Sequence, residues 1–301
     1  MLKLKEIVPN FFLVQGHKNG RFPFSHSILL LNDKKHTMLI DTGCGLDFLQ
    51  DLIHRYQIKR VINSHTHPDH TAGNYLFNRK NIPIVVPTEA LQSAGNLNLL
   101  AQRFASPRLL QREWIHFVTS NMGINPYIVN QTYNKETNFE FGDFSIQPIY
   151  APGHTVDHYC FFEKNYKILI SSDYDLTRFG PWYGHLESSI VQTLSSLEKI
   201  KLFHPEIFVS SHLGIVQENI ESKIDQFAEV INSRDKKLLK LIEKTSITEA
   251  DLVKQKPFYQ TYPYAPNLMQ YWESQMITKH IKRLIVNNKI ERDPNGLLSL
   301  K

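Results

Sequence analysis

Cysteine is scarce. Cys44 and Cys160 are the only two in 301 residues, which excludes a disulfide framework and a four-thiolate zinc site and fits a reducing compartment. No apolar run approaches the ~18 residues of a membrane-spanning helix, so no membrane association is expected. The opening Met1-Leu2-Lys3-Leu4-Lys5-Glu6 lacks the apolar stretch and small-residue cleavage site of a signal peptide, which makes the cytoplasm the expected location. A Gly-x-Ser-x-Gly elbow is also missing, which argues against a serine nucleophile. Charge of one sign is not concentrated: 34 Lys and Arg face 29 Asp and Glu, for a net charge of +5. That balance favours an anionic substrate or weak nucleic-acid contact without proving either. With 42% hydrophobic and 21% charged residues, the chain is globular and long enough for one large domain, or a large one and a small one. Nothing in it specifies an oligomeric state.

Histidine is plentiful and clustered. Ser64-His65-Thr66-His67-Pro68-Asp69-His70 packs three imidazoles and a carboxylate into six positions, directly after the apolar stretch Arg60-Val61-Ile62-Asn63. Residues at i and i+2 of an extended segment point the same way, so His65 and His67 can grip one ion. The turn at Pro68 swings Asp69 and His70 toward a second. Imidazole and carboxylate together suit zinc or iron.

Along the chain, short aliphatic runs repeatedly end in a polar, ligand-capable residue. Ile28–Leu31 and Thr37–Ile40 read as a hairpin around Asn32-Asp33-Lys34-Lys35, and the second strand delivers Asp41-Thr42-Gly43. Ile82–Val86 is a further strand. Phe144–Tyr150 leads to Ala151-Pro152-Gly153-His154-Thr155, Tyr166–Ile170 to Ser171-Ser172-Asp173, and Glu206–Ser210 to Ser211-His212. Strand ends gathered on one sheet edge are where a rigid scaffold holds a site.

The ordered set Asp41, His65-x-His67-x-Asp69-His70, His154, Asp173, His212 resembles the five-motif signature of the metallo-β-lactamase fold superfamily over roughly residues 1–218. The resemblance implies an α+β fold, an αββα sandwich with a two-metal site at one edge. It implies that His65, His67 and His154 hold the first metal, that Asp69, His70 and His212 hold the second, and that Asp173 bridges them. It places Asp41 behind a ligand imidazole, fixing its tautomer. Asp175 competes with Asp173 for the bridging role, and Asp173 is preferred because it follows its strand more directly. His212 stands in Ser-His-Leu-Gly where the family more often has Gly-His-Gly. The implied cofactors are two zinc ions, with iron or manganese as substitutes. The implied chemistry is hydrolysis by a metal-activated hydroxide, with Asp69 as the catalytic carboxylate that orients it.

Two segments depart from a minimal version of this fold. Between Pro87 and Tyr133, about residues 88–133, lies an insertion whose Leu109, Leu110, Trp114, Phe117 and Val118 recur at helical spacing after Ser106-Pro107. It reads as a helical lid over the metals or as a helical pair packed on the sandwich. Residues 175–185 mix aromatic, cationic and imidazole groups. Arg178, Trp182, Tyr183 and His185 there are candidate substrate contacts, and a packed aromatic loop is the other reading. Asp157 and His158 are candidates for hydrogen-bond support of the site. From residue 219 to 301 the pattern changes to helices: Ile220 to Ile242 form one stripe, Ile247–Val253 a short capped helix, Trp272 to Ile285 another, before a terminal hairpin around Asp293-Pro294-Asn295-Gly296. This order looks like a winged-helix domain, similar to the tail of a subgroup that includes endoribonucleases. Lys279, Lys282, Arg283 and Lys289 are its candidate phosphate contacts. The expected function is metal-dependent hydrolysis of a small ester, thioester or lactone. The alternatives are a metal-dependent endoribonuclease or phosphodiesterase, and an iron-dependent oxidoreductase on the same ligands. The expected partner is a small molecule rather than nucleic acid.

Overall fold

The strand Ser27–Leu31 shows how the sequence builds the layers: Ile28 and Leu30 enter one core and Leu29 a second, the period of two that a sheet buried on both faces requires. The computed structural model describes residues 2–301. Seven strands form the first sheet in chain order: Leu4–Val8, Phe11–Val14, Ser27–Leu31, His36–Ile40, Gln57–Ile62, Ile84–Pro87 and Gln131–Tyr133. Six form the second, in the order Gly214–Val216, Ile207–Ser210, Ile168–Ser172, Tyr159–Glu163, Phe144–Tyr150, Phe139–Phe141. Side chains of both sheets share one core, including Phe11, Leu30 and Met38 from the first and Phe161, Ile168 and Val209 from the second. Helices Leu46–Arg55 and Asn74–Asn78 cover the outer face of the first sheet through Phe48, Leu49, Leu52 and Phe77. Helices Ile190–Lys201 and Ile220–Lys244 cover the second through Leu197, Ile200, Ile224 and Phe227. The result is the four-layer αββα sandwich. Cys44 and Cys160 are buried in different cores, which is consistent with free thiols.

Parallel pairing decides where the motifs meet. His36–Ile40 runs parallel to Gln57–Ile62 with Ile40 opposite Ile62, so Asp41 and the histidine loop emerge at the same edge. Ile168–Ser172 runs parallel to Ile207–Ser210 with Ser172 opposite Ser210, which brings Asp173 and His212 out together. The two sheets are stitched there by Tyr159 N–H donating to the Ser64 carbonyl at 3.0 Å and by a 2.7 Å hydroxyl contact between Ser64 and Ser172.

The insertion contains the helices Leu97–Phe104 and Arg108–Met122, and it ends in the edge strand Gln131–Tyr133, parallel to Ile84–Pro87. Asn96 caps the first helix by accepting from the N–H groups of Asn98 and Leu99. Trp114, Phe117 and Val118 are buried as their spacing predicts, whereas Leu109 is 74% exposed. The insertion packs on the helix Pro266–Val286, through Leu100, Phe104 and Trp114 against Leu268, Met269 and Trp272. In the C-terminal region Ile247–Thr248 is a strand, not the first turn of a helix: it pairs with Leu297–Leu298, and Thr248 then caps the helix Glu249–Lys254 by accepting from Asp251 N–H. The terminal hairpin Ile290–Arg292 and Leu297–Leu300 completes a three-stranded sheet. Among the described residues, no helix is long and apolar enough to cross a membrane.

Candidate metal centre

His67 precedes Pro68, and the fixed backbone of that proline starts the four-residue helix Pro68–Thr71. Its first turn aims Asp69 and His70 back at the sheet edge. The His70 carbonyl is tied down by Thr42 N–H at 2.8 Å and by the Asn63 side chain at 3.2 Å. Gly43 is required beside it, because a Cβ there would sit 1.5 Å from the Asp69 carbonyl oxygen. Gly153, at φ 130, lets the chain turn into His154 against the helix Ile190–Lys201.

Seven residues converge in two sets. His65, His67, His154 and Asp173 each offer one ligand atom within 4.8 Å of the others, and so do Asp69, His70, Asp173 and His212. Asp173 belongs to both. Its Oδ2 lies 3.1 Å from His154 Nε2, 3.6 Å from His65 Nε2 and 3.7 Å from His67 Nδ1. Its Oδ1 lies 2.7 Å from His70 Nε2 and 3.4 Å from His212 Nε2, and His212 Nε2 is 3.5 Å from Asp69 Oδ2. Asp175 stands outside both sets and accepts the N–H of Thr177 at 2.9 Å.

The outer ring nitrogens are held. His154 Nδ1–H donates to the Trp182 carbonyl at 2.9 Å and His212 Nδ1–H to the Gly20 carbonyl at 2.6 Å. His70 Nδ1 meets Asp41 Oδ2 at 2.7 Å, and His65 Nδ1 faces the hydroxyls of Ser64 and Ser172 at 3.1 and 3.3 Å. His67 turns its Nδ1 inward, with Nε2 3.1 Å from Nε2 of the buried His185. The rings are thereby oriented by partners on their far sides, as metal-binding imidazoles are. His65 Nε2, His70 Nε2 and Asp173 Oδ1 are buried without a hydrogen-bond partner, although the last two are 2.7 Å apart. Buried polar atoms aimed at a common point, and a donor set of imidazole and carboxylate, fit divalent metal ions.

Electrostatics supports the same reading. Burial and neighbouring imidazoles hold His65 and His67 well below the usual histidine range, hence neutral and free to bind a metal. Burial opposes charge on His70 and His212 as well, but Asp173 outweighs it, with Asp41 adding to the effect at His70 and Asp69 at His212; His70 is driven well up and His212 to about 10. The carboxylates therefore demand positive charge at this edge.

Support reaches the site from parts of the chain that carry no motif. Asp157 is fully buried and accepts from the N–H of Thr66 at 3.0 Å and its hydroxyl at 2.6 Å, which fixes the residue between His65 and His67. Arg103, from the insertion, holds Asp157 at 2.5 Å and also donates to Glu187 and to the Thr66 hydroxyl. His158 donates from Nδ1 to the Ala151 carbonyl and accepts the Asp173 N–H at Nε2; burial pushes it to about 3, so it stays neutral. Asp41 and Ser172 adopt left-handed backbone, φ 61 and 53, at the strand ends where their side chains reach Ser64.

The aromatic loop is spread over several environments. Trp182 is half-buried, its ring centroid 5.4 Å from that of His67 and 5.5 Å from that of His154. Arg178 is exposed. Tyr183 and His185 are buried: Tyr183 Oη contacts His280 Nε2 at 2.7 Å, and His185 packs between His67 and Phe104. Their surroundings are helices that lie far off in sequence.

The Metallo-beta-lactamase superfamily pattern matches residues 21–212. The chain is 23% identical over 254 residues to an atrochrysone carboxyl ACP thioesterase of Cryptosporiopsis, covering 82% of this chain and 67% of that protein. It is 24% identical over 177 residues to a lactamase-like protein of Pestalotiopsis fici, covering 56% of this chain and 46% of that protein. A metallo-beta-lactamase family protein of Thermus thermophilus has a similar structure, with TM-score 0.74 and 14% identity over 98% of this chain and all of that one. On the family match and the shared fold, the chain belongs to the metallo-beta-lactamase superfamily.

Proposed function

We propose that the chain is a hydrolase working with two divalent cations, zinc being the ion its imidazole-rich donors favour, on a small ester, thioester or lactone. The observation that carries the reading is the division of Asp173: Oδ2 faces His65, His67 and His154, and Oδ1 faces His70 and His212. One carboxylate shared between two histidine sets suits a pair of adjacent cations. Cations held there would lower the pKa of a water and polarise a carbonyl oxygen.

The chain's own residues supply the rest. Asp69 reaches into the second set, 3.5 Å from His212 Nε2, where its carboxylate would orient an attacking water or take its proton. Phe104 and Trp182 put their rings against His67 and limit bulk water on that side. A thioester is the first substrate to test, because one relative is named a thioesterase. Two of the four C-terminal cations are already engaged inside the protein: Lys279 donates to the His185 carbonyl at 2.6 Å and Arg283 pairs with Asp235. That leaves a weak phosphate-binding face and favours a small substrate.

The test is thiol release from short and long acyl thioesters by the zinc-loaded protein, beside aryl esters, lactones and single-stranded RNA. Hydrolysis of a carbonyl substrate that falls by about a thousandfold in Asp69→Ala, within the range lost with a proton-transfer group, is the expected result. RNA cleavage with every carbonyl substrate intact would replace this reading by phosphodiester hydrolysis, and iron with redox turnover would replace it by oxidoreduction.

A further inference from the structure

The helix Ile220–Lys244 carries a buried cation with no acid beside it. Arg234 is 6% exposed, and among the described residues no carboxylate lies within ion-pair distance of it. Burying a guanidinium is costly unless its donors are satisfied. Here they are satisfied by one loop. Arg234 donates to the carbonyls of Phe179 and Pro181, each at 2.6 Å, and to the Tyr183 hydroxyl at 2.8 Å. It also lies over the rings of Phe179, Tyr183 and Phe258, 4.7 to 5.3 Å from their centroids. The carbonyl between those contacts, that of Trp182, accepts Nδ1–H of His154.

No helix or strand forms between Ser172 and Ile190, and the backbone hydrogen bonds of this loop, such as Gly180 N–H to the Thr177 carbonyl and Ser189 N–H to the Gly153 carbonyl, do not involve residues 181–184. The shape of that stretch rests on side chains. The far side of the clamp is braced in turn: Tyr183 O–H donates to His280 Nε2, His280 Nδ1–H donates to Asp235, and Arg283 pairs with Asp235. Burial, reinforced by Arg234, keeps His280 neutral, which this chain of donors needs. Two C-terminal helices thus converge on one backbone segment whose free carbonyl points at a site histidine.

We propose that Arg234 is a positioning residue for His154, acting through the Trp182 carbonyl, so that the C-terminal helical region is a working part of the metal centre. The inference rests on the metal reading above. A guanidinium suits the task because its planar fork serves two carbonyls at once, whereas a lysine ammonium reaches them only as a point donor.

The experiment measures metal affinity rather than turnover. Metal-stripped wild type, Arg234→Gln, Arg234→Lys and Arg292→Gln proteins are titrated with zinc against a chromophoric chelator, with thermal unfolding of each stripped protein in parallel. Arg234→Gln is expected to lose about tenfold in affinity for one of two ions, the lower end of what removing an outer partner of a metal-bound histidine costs, and to keep the other. Arg234→Lys is expected to fall between it and wild type, and it decides the matter if the glutamine variant does not fold. Arg292→Gln, which removes the ion pair with Glu249 in the same C-terminal region without touching the clamp or its brace, is expected to leave both affinities unchanged. A folded Arg234 variant that binds both ions as wild type does would overturn the proposal, as would equal weakening of both ions or the same loss in Arg292→Gln. Wild-type protein that binds no zinc would instead overturn the metal reading itself.

Discussion

Asp41 Oδ2 lies 2.7 Å from His70 Nδ1 while the same carboxylate accepts the Ser64 N–H at 2.8 Å and the Ser64 hydroxyl at 2.7 Å. One side chain thus sets both ends of the seven-residue turn Ser64–His70 that carries His65, His67 and Asp69. Removing its charge while keeping its shape isolates that role. Asp41→Asn is expected to fold and to lose about tenfold to a hundredfold in metal affinity, as outer partners of ligand histidines do. Zinc titration against a chelator measures this, and an unchanged affinity would show that Asp41 serves only the turn.

Asp157 and Arg103 make a second prediction. Asp157→Ala leaves the Thr66 N–H and hydroxyl without their acceptor and the Arg103 guanidinium with Glu187 as its remaining carboxylate, which is expected to cost about 1–3 kcal/mol. Urea unfolding of the metal-free protein is the check. Replacing both partners by apolar residues is expected to cost less than the sum of the two single replacements, because the interaction between them is lost only once. A double variant as unstable as the sum of the singles would mean that the pair does not act as a unit.

His280 gives the fold a dependence on pH. Burial, then Arg234, lowers its pKa from 6.5 to about 3, while the Asp235 carboxylate 2.6 Å from its Nδ1 acts in the opposite direction. A histidine depressed in the folded state contributes stability that is fully present above 6.5 and is lost as pH falls toward 3, because only the unfolded chain takes up the proton. At pH 5 that loss is at most about 2 kcal/mol relative to neutral pH, because the Asp235 carboxylate favours the protonated ring. His280→Gln is expected to show a drop in urea stability between pH 7 and pH 5 that is smaller by that amount. Equal drops in both proteins would show that His280 does not contribute.

What could be read from the sequence followed from strand chemistry. Continuous apolar runs mark Ser27–Leu31 and His36–Ile40, strands buried on both faces, and the polar residues that follow Ile40, Ile62, Ser172 and Ser210 need only the parallel pairing of those strands to reach the shared edge. The supports could not be read, for two physical reasons. Arg103 and Asp157 are 54 positions apart, and a contact between them leaves no local pattern. The partners of His154 and His212 are backbone carbonyls, of Trp182 and Gly20, which leave no trace in residue identity. Tyr183 and His185 look like pocket residues by composition, yet they are buried: Arg234 and His280 reach Tyr183 from helices 51 and 97 positions downstream, and Phe104 of the insertion and His67 enclose His185. Ile247–Thr248 is a strand for a similar reason: its partner is Leu297–Leu298 at the other end of the region.

The central claim is that two histidine sets share Asp173 and hold one cation each. Metal content per chain after zinc loading and desalting tests it most directly, on wild type beside His154→Ala from the first set and His212→Ala from the second. Two zinc ions in wild type and one in each variant are predicted. A wild-type protein that retains none, or variants that retain two, would contradict it.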